Sequence, residues 1–169
     1  APADLKVNVK GCGAEIKTTG NGKYILTAKS TGSCEVTVLA KTTNGYKQQG
    51  AQKIFRVKSI PPPVLKVGGK LAVSNLEFTK SELSAIGAIA AESPGFMFPV
   101  NMVVKSFDLE INTGGSLVPY TCSSNKLSNE AKLALSRMRV GQKAYIDNIK
   151  VQTPTGIIAL PMTQLKVKS

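Results

Sequence analysis

Three consecutive prolines, Pro61, Pro62 and Pro63, constrain this 169-residue chain more than any other feature. Proline has a fixed φ and no backbone N–H, so neither a helix interior nor a central strand can run through the triplet, and it favours a stiff polyproline II path. The chain therefore reads as a module over residues 1–59, a proline-rich linker over 60–66 and a terminal domain over 67–169. The linker is read as a semi-rigid spacer fixing the angle between modules. The competing reading, a proline-rich ligand for another domain, suits such a short run between folded modules less well.

The first module alternates apolar and polar residues in short runs. "DLKVNVKG" puts Leu5, Val7 and Val9 on one face, "GKYILTAK" does the same for Tyr24, Leu26 and Ala28, and "CEVTVLAKT" pairs Val36 with Val38. "TGNG", "STGS" and "TTNG" between them supply positive φ and side-chain caps for turns. Closely spaced short strands of this kind predict a partial immunoglobulin-like sandwich. About five strands fit, against about seven in a complete one. The opening "APADLKVNVKG" reads as the interior of a β domain, so one or two strands are expected upstream in a longer chain.

The second module is predicted to be β-rich with two short helices. Thr79 and Glu82 form a capping box ahead of "KSELS", with Gly87 as the expected stop. Ser128 caps a second helix that has Glu130 in its first turn, Arg137 and Arg139 in its last, and Gly141 at its end. Leu127, Ala131, Leu135 and Met138 form a stripe at helical spacing that predicts core packing. In "FPVNMVVKSFDLEIN" the apolar parity slips near Lys105 and Ser106, which predicts a β-bulge or bend. Pro119 in "GGSLVPYTCSS" predicts an edge position or a bulge. "KAYIDNIKV" and "GIIALPMTQLKV" read as two further strands joined through "QTPTG".

Composition narrows the function. The chain has no histidine, which removes the commonest general base and metal ligand. Its ten acidic residues are dispersed, and the Asp108 and Glu110 pair reads as strand surface rather than a catalytic dyad. "VGGK" and "NTGGS" match neither phosphate-loop nor dinucleotide spacing. No catalytic residue, metal site, cofactor or small-molecule substrate is expected, and the chain is read as a non-enzyme. Cys12 and Cys34 can close a loop of roughly 20 residues in an oxidising compartment, stabilising by about 3 kcal/mol on the chain-entropy model. The alternative is two buried reduced thiols. Cys122 is read as a small strand residue.

The net charge of +12 comes from singly scattered lysines, and aromatics are only 5% of the chain, with no tryptophan. Nucleic-acid-binding sheets interleave aromatics with basic residues, so the charge is read as a solvated β surface and not as a nucleic-acid site. The apolar loop Phe96, Met97 and Phe98 is either the start of a strand or an exposed anchor for a partner.

"KIFRVKSIPPPVLKVGGK" resembles the junction between the last two domains of the GldM and PorM family, the periplasmic shaft proteins of Bacteroidetes gliding motility and type IX secretion. "TKSELSAIGAIAAE", "FPVNMVVKSFDLEI" and "KLSNEAKLALSRMRVGQKAYIDNIKVQTPTGIIALP" follow that family's terminal domain in order, and "GNGKYILTAKSTGSCEVTV" is similar to its penultimate one. The resemblance implies a periplasmic fragment of an inner-membrane-anchored motor protein. It implies a homodimer, a GldL or PorL motor partner acting through an N-terminal part, and ring proteins of the GldK/GldN or PorK/PorN type at the outer membrane. The cysteine pair is not part of that resemblance. The alternative reading is an immunoglobulin-like adhesion or carbohydrate-binding module of an envelope protein, against which the sparse aromatics weigh.

Overall fold

The computed structural model describes residues 4–169, so Ala1, Pro2 and Ala3 of the expected first module lie outside the described residues. The protein is mainly β, 54% strand and 8% helix. It divides into two compact units, residues 1–59 and 60–169.

The first unit contains β1 (Leu5–Lys10), β2 (Glu15–Gly20), β3 (Lys23–Thr27), β4 (Gly32–Thr42), β5 (Gly45–Gln48) and β6 (Lys53–Val57). The alternation in the sequence predicts about five strands, and the described residues form six. β5 is exposed along its whole length, so no buried face marks it in the sequence. β4 is the hub, pairing with β1 along one edge and with β5 and β6 along the other. Leu5, Val7 and Val9 face Ala40, Val38 and Val36 across the ladder. β2 and β3 form a separate hairpin. Its turn carries Asn21 at φ 51° and Gly22 at φ 71°, the left-handed pair that matches strand twist in tight hairpins. Among the described residues of this unit only Cys12 and Cys34 are buried; the other apolar side chains are half-buried or exposed.

The second unit contains β7 (Val64–Val67), β8 (Lys70–Leu71), β9 (Leu76–Phe78), α1 (Lys80–Ser84), β10 (Ile89–Glu92), β11 (Val103–Asn112), β12 (Leu117–Cys122), α2 (Asn129–Ser136), β13 (Lys143–Thr153), β14 (Gly156–Leu160) and β15 (Thr163–Val167). One sheet runs β12-β11-β13-β15-β9, with β14 also on β13; a small sheet runs β10-β7-β8. Phe107, Leu109 and Ile111 of β11, Ala144 and Ile146 of β13, and Leu165 and Val167 of β15 bury one face of the large sheet. They share a single core with Leu65 and Val67 of the small sheet, Leu83 of α1, and Ala131 and Leu135 of α2.

Local chemistry explains most element ends. Thr79 accepts from the Glu82 backbone while Glu82 reaches back to the Thr79 N–H at 2.7 Å, completing the capping box. α1 stops at Ala85 and not at Gly87, because Ile86 and Ile89 turn into the core and Ile89 N–H donates to the Asn125 carbonyl. α2 begins at its Ser128 cap as expected. It closes at Arg137, so Arg137 and Arg139 lie at and beyond its end; Gly141, at φ 85°, belongs to the following turn. The stripe Leu127, Ala131, Leu135 and Met138 is buried.

The expected bulge is present: the β11–β13 register shifts between Val104 and Ser106. A second shift, between Ser106 and Asp108, is taken up at Asn148, whose φ is 50°. "GIIALPMTQLKV" is two strands and not one. Pro161 cannot donate to the ladder, so β14 and β15 pair with successive stretches of β13 on either side of it. Pro119 lies in β12, an edge strand of the large sheet.

Candidate docking surfaces

The structure joins Cys12 to Cys34, which are 22 positions apart in sequence, as a disulfide with Cα atoms 5.3 Å apart. Gly11 beside it sits at φ +89°, and a Cβ there would meet the Ser33 carbonyl oxygen at 2.2 Å. Glycine is thus required where β1 turns into the bridge. Cys122 is a free, buried thiol.

Pro61 and Pro63 are built into the second unit rather than hanging free of it. The Pro61 carbonyl accepts a 2.8 Å hydrogen bond from Ser93 Oγ, Pro63 is buried, and β7 starts at Val64.

Phe96, Met97 and Phe98 lie in the loop between β10 and β11. Phe96 and Phe98 meet edge to face at 5.9 Å, and Phe96 is half-buried. Met97 is 91% exposed and Phe98 71% exposed. Two large apolar side chains are thus exposed together on one loop.

An open groove of about 940 Å³ lies beside α2. One face of α2 lines it with Glu130, Leu133, Ala134 and Arg137, residues at i, i+3, i+4 and i+7. The opposite wall is the β11–β12 turn, and its end is closed by the loop after α2. Gln142 ties these walls together: its Oε1 accepts from the Arg139 N–H at 3.0 Å and its Nε2 donates to the Asn112 carbonyl at 2.6 Å. Gly141 N–H and the Gln142 carbonyl are both bonded to Val167 of β15. Leu133 is 52% exposed over the groove, on a helix whose buried residues are Ala131 and Leu135. Sequence periodicity places it off the core stripe but gives no hint that a groove lies beneath it.

These features do not converge into a reaction centre. Asp108 faces Asp147 across the sheet and accepts from Asn148 Nδ2 at 2.8 Å, on the large sheet's outer face. Among the described residues no group of three or more Cys, Asp or Glu side chains could hold a metal ion. Tyr46 lies on the Lys41 face of the first unit's sheet and Phe55 on the Cys34 face, so these exposed aromatics do not form one stacking platform.

Residues 61–166 match the family model described as the GldM C-terminal domain. The chain belongs to this family. Membership ties it to the gliding-motility and type IX secretion machinery, and GldM C-terminal domains are periplasmic in the family. The family is one of structural motor and secretion components and is not a known enzyme family. No curated protein matches the chain. Among the described residues no helix is long and apolar enough to cross a membrane.

Proposed function

We propose that the chain is a non-catalytic part of a periplasmic shaft that carries force from an inner-membrane motor of the GldL or PorL type to an outer-membrane-associated ring. The ring partners are of the GldK/GldN or PorK/PorN type, and the shaft is a homodimer. The match of residues 61–166 to the GldM C-terminal domain carries this reading. The second unit suits a mechanical role, because its core is a single cluster linking two sheets and both helices, so that load on one sheet is shared by the other.

Met97 and Phe98 form the contact tip in this account. The test is replacement of both by serine in the full-length protein in cells. Both side chains are exposed, so folding and protein level should hold while secretion and recovery of ring components with the shaft fall. Unchanged secretion and unchanged ring recovery would take the tip out of the interface.

A further inference from the structure

The groove beside α2 combines an apolar floor with a basic mouth. Leu133, Ala134 and Tyr120 supply apolar surface, and Arg137, Arg139 and Lys143 surround one end. All three cations are exposed, and among the described residues none takes part in an ion pair. Lys143 also stands directly opposite Lys166 across the β13–β15 ladder, and the acid in register with that pair, Glu77 of β9, lies on the far side of Lys166. The one acid in the lining, Glu130, sits two helical turns from Arg137, away from the basic end.

Its walls are preset. Gln142 bridges Arg139 to Asn112, and the loop bearing Arg139 is hydrogen-bonded to β15. A preorganised groove loses less free energy to ordering when it is filled. Charge complementarity and an apolar floor together specify the occupant.

We infer that this groove binds an extended acidic segment of a partner protein, with one apolar residue of the segment on Leu133 and Ala134 and its carboxylates at Arg137, Arg139 and Lys143. Bidentate guanidinium–carboxylate pairs would fix the register, and the leucine contact would supply area. The inference stands on the groove's own lining and goes beyond the shaft reading, so its failure leaves that reading intact.

A random peptide library displayed on phage, panned against the whole chain, tests it. The account expects enriched sequences with clustered Asp or Glu beside a Leu, Ile or Phe. A synthetic peptide of the enriched sequence should bind about tenfold or more weakly to Arg137→Glu/Arg139→Glu. Leu133→Ser, which leaves every charge in place, should also weaken binding. Lys105→Glu/Lys150→Glu makes the same change in net charge at the far end of the β11–β13 pair and should have little effect. No acidic enrichment, or equal losses in the two charge-reversed variants, would overturn the inference. Binding of anionic phosphatidylglycerol vesicles through the same arginines, with no peptide selected, would also overturn it and assign the groove to lipid headgroups.

Discussion

Gln142 Nε2 donates to the Asn112 carbonyl at 2.6 Å, joining two loops that lie 30 residues apart in sequence. The same side chain accepts from the Arg139 N–H, so one amide holds both sides of the α2 groove. Gln142→Ala leaves the Asn112 carbonyl and the Arg139 N–H without this partner. It should lower stability by about 1–2 kcal/mol, or several degrees in Tm for a domain of this size. Hydrogen exchange should quicken at Gly141 and Val167 before it quickens in β11.

The disulfide joins the only two buried described residues of the first unit. Hydrophobic burial elsewhere in that unit is partial, so the crosslink carries an unusual share of its stability. Reduction should cost the first unit about 3 kcal/mol while the second unit's melting is unaffected. Separate transitions followed by hydrogen exchange in reducing and non-reducing buffer would show it. Gly11→Ala should mimic part of the loss, because its Cβ has no room against Ser33.

Gly68 sits at φ +52°, and a Cβ there would lie 2.7 Å from Phe78 Cε1 and 3.3 Å from Ile86 Cγ1. Phe78 is fully buried, so it cannot swing away. Gly68→Ala should therefore destabilise by about 1–3 kcal/mol, and Phe78→Ala by about 3–5 kcal/mol through the cavity it leaves. Chemical denaturation measures both.

Glu82 has its carboxyl held below the usual 4.5, first by the backbone N–H of Thr79 and then by the Lys70 side chain. Its folded value is depressed, so its contribution is present in full above the unfolded value and disappears as pH falls through the folded one. Glu82→Gln should flatten that part of the acid stability profile and leave the profile near neutral pH parallel to wild type. Carboxyl titration by NMR would place the folded value directly. Thr79→Ala removes the other half of the box and should cost about 1 kcal/mol.

What the sequence revealed depended on how local the cause was. The capping box at Thr79 and Glu82, the Ser128 cap, the core stripe of α2, the edge position of Pro119 and the bulge near Ser106 are short-range chemistry, and all can be read from a few neighbours. The ends of α1 and α2 fall short of their sequence signals because Ile86 and Ile89 are drawn into the core and Arg137 closes the helix early, effects decided by packing. The break at Pro161 was read through because the apolar pattern continues on both sides of it. The groove was invisible for a similar reason: Asn112 and Gln142 become neighbours only once β11 and β13 have paired. Arg137 and Arg139 looked like ordinary helix-end charges for as long as the opposing wall was unknown. The Cys12 and Cys34 pairing was one of two open readings, since spacing alone does not bring two thiols together.

The central claim is that this chain docks on the outer-membrane-associated ring. The direct measurement is its affinity for purified ring proteins of the GldK/GldN or PorK/PorN type, titrated across salt, with light scattering giving the oligomeric state of the same sample. The account predicts saturable binding by a dimer, weaker as salt screens the basic surface, and reduced by Met97→Ser/Phe98→Ser. A folded chain that remains monomeric at high concentration and binds no ring protein at any salt would contradict it.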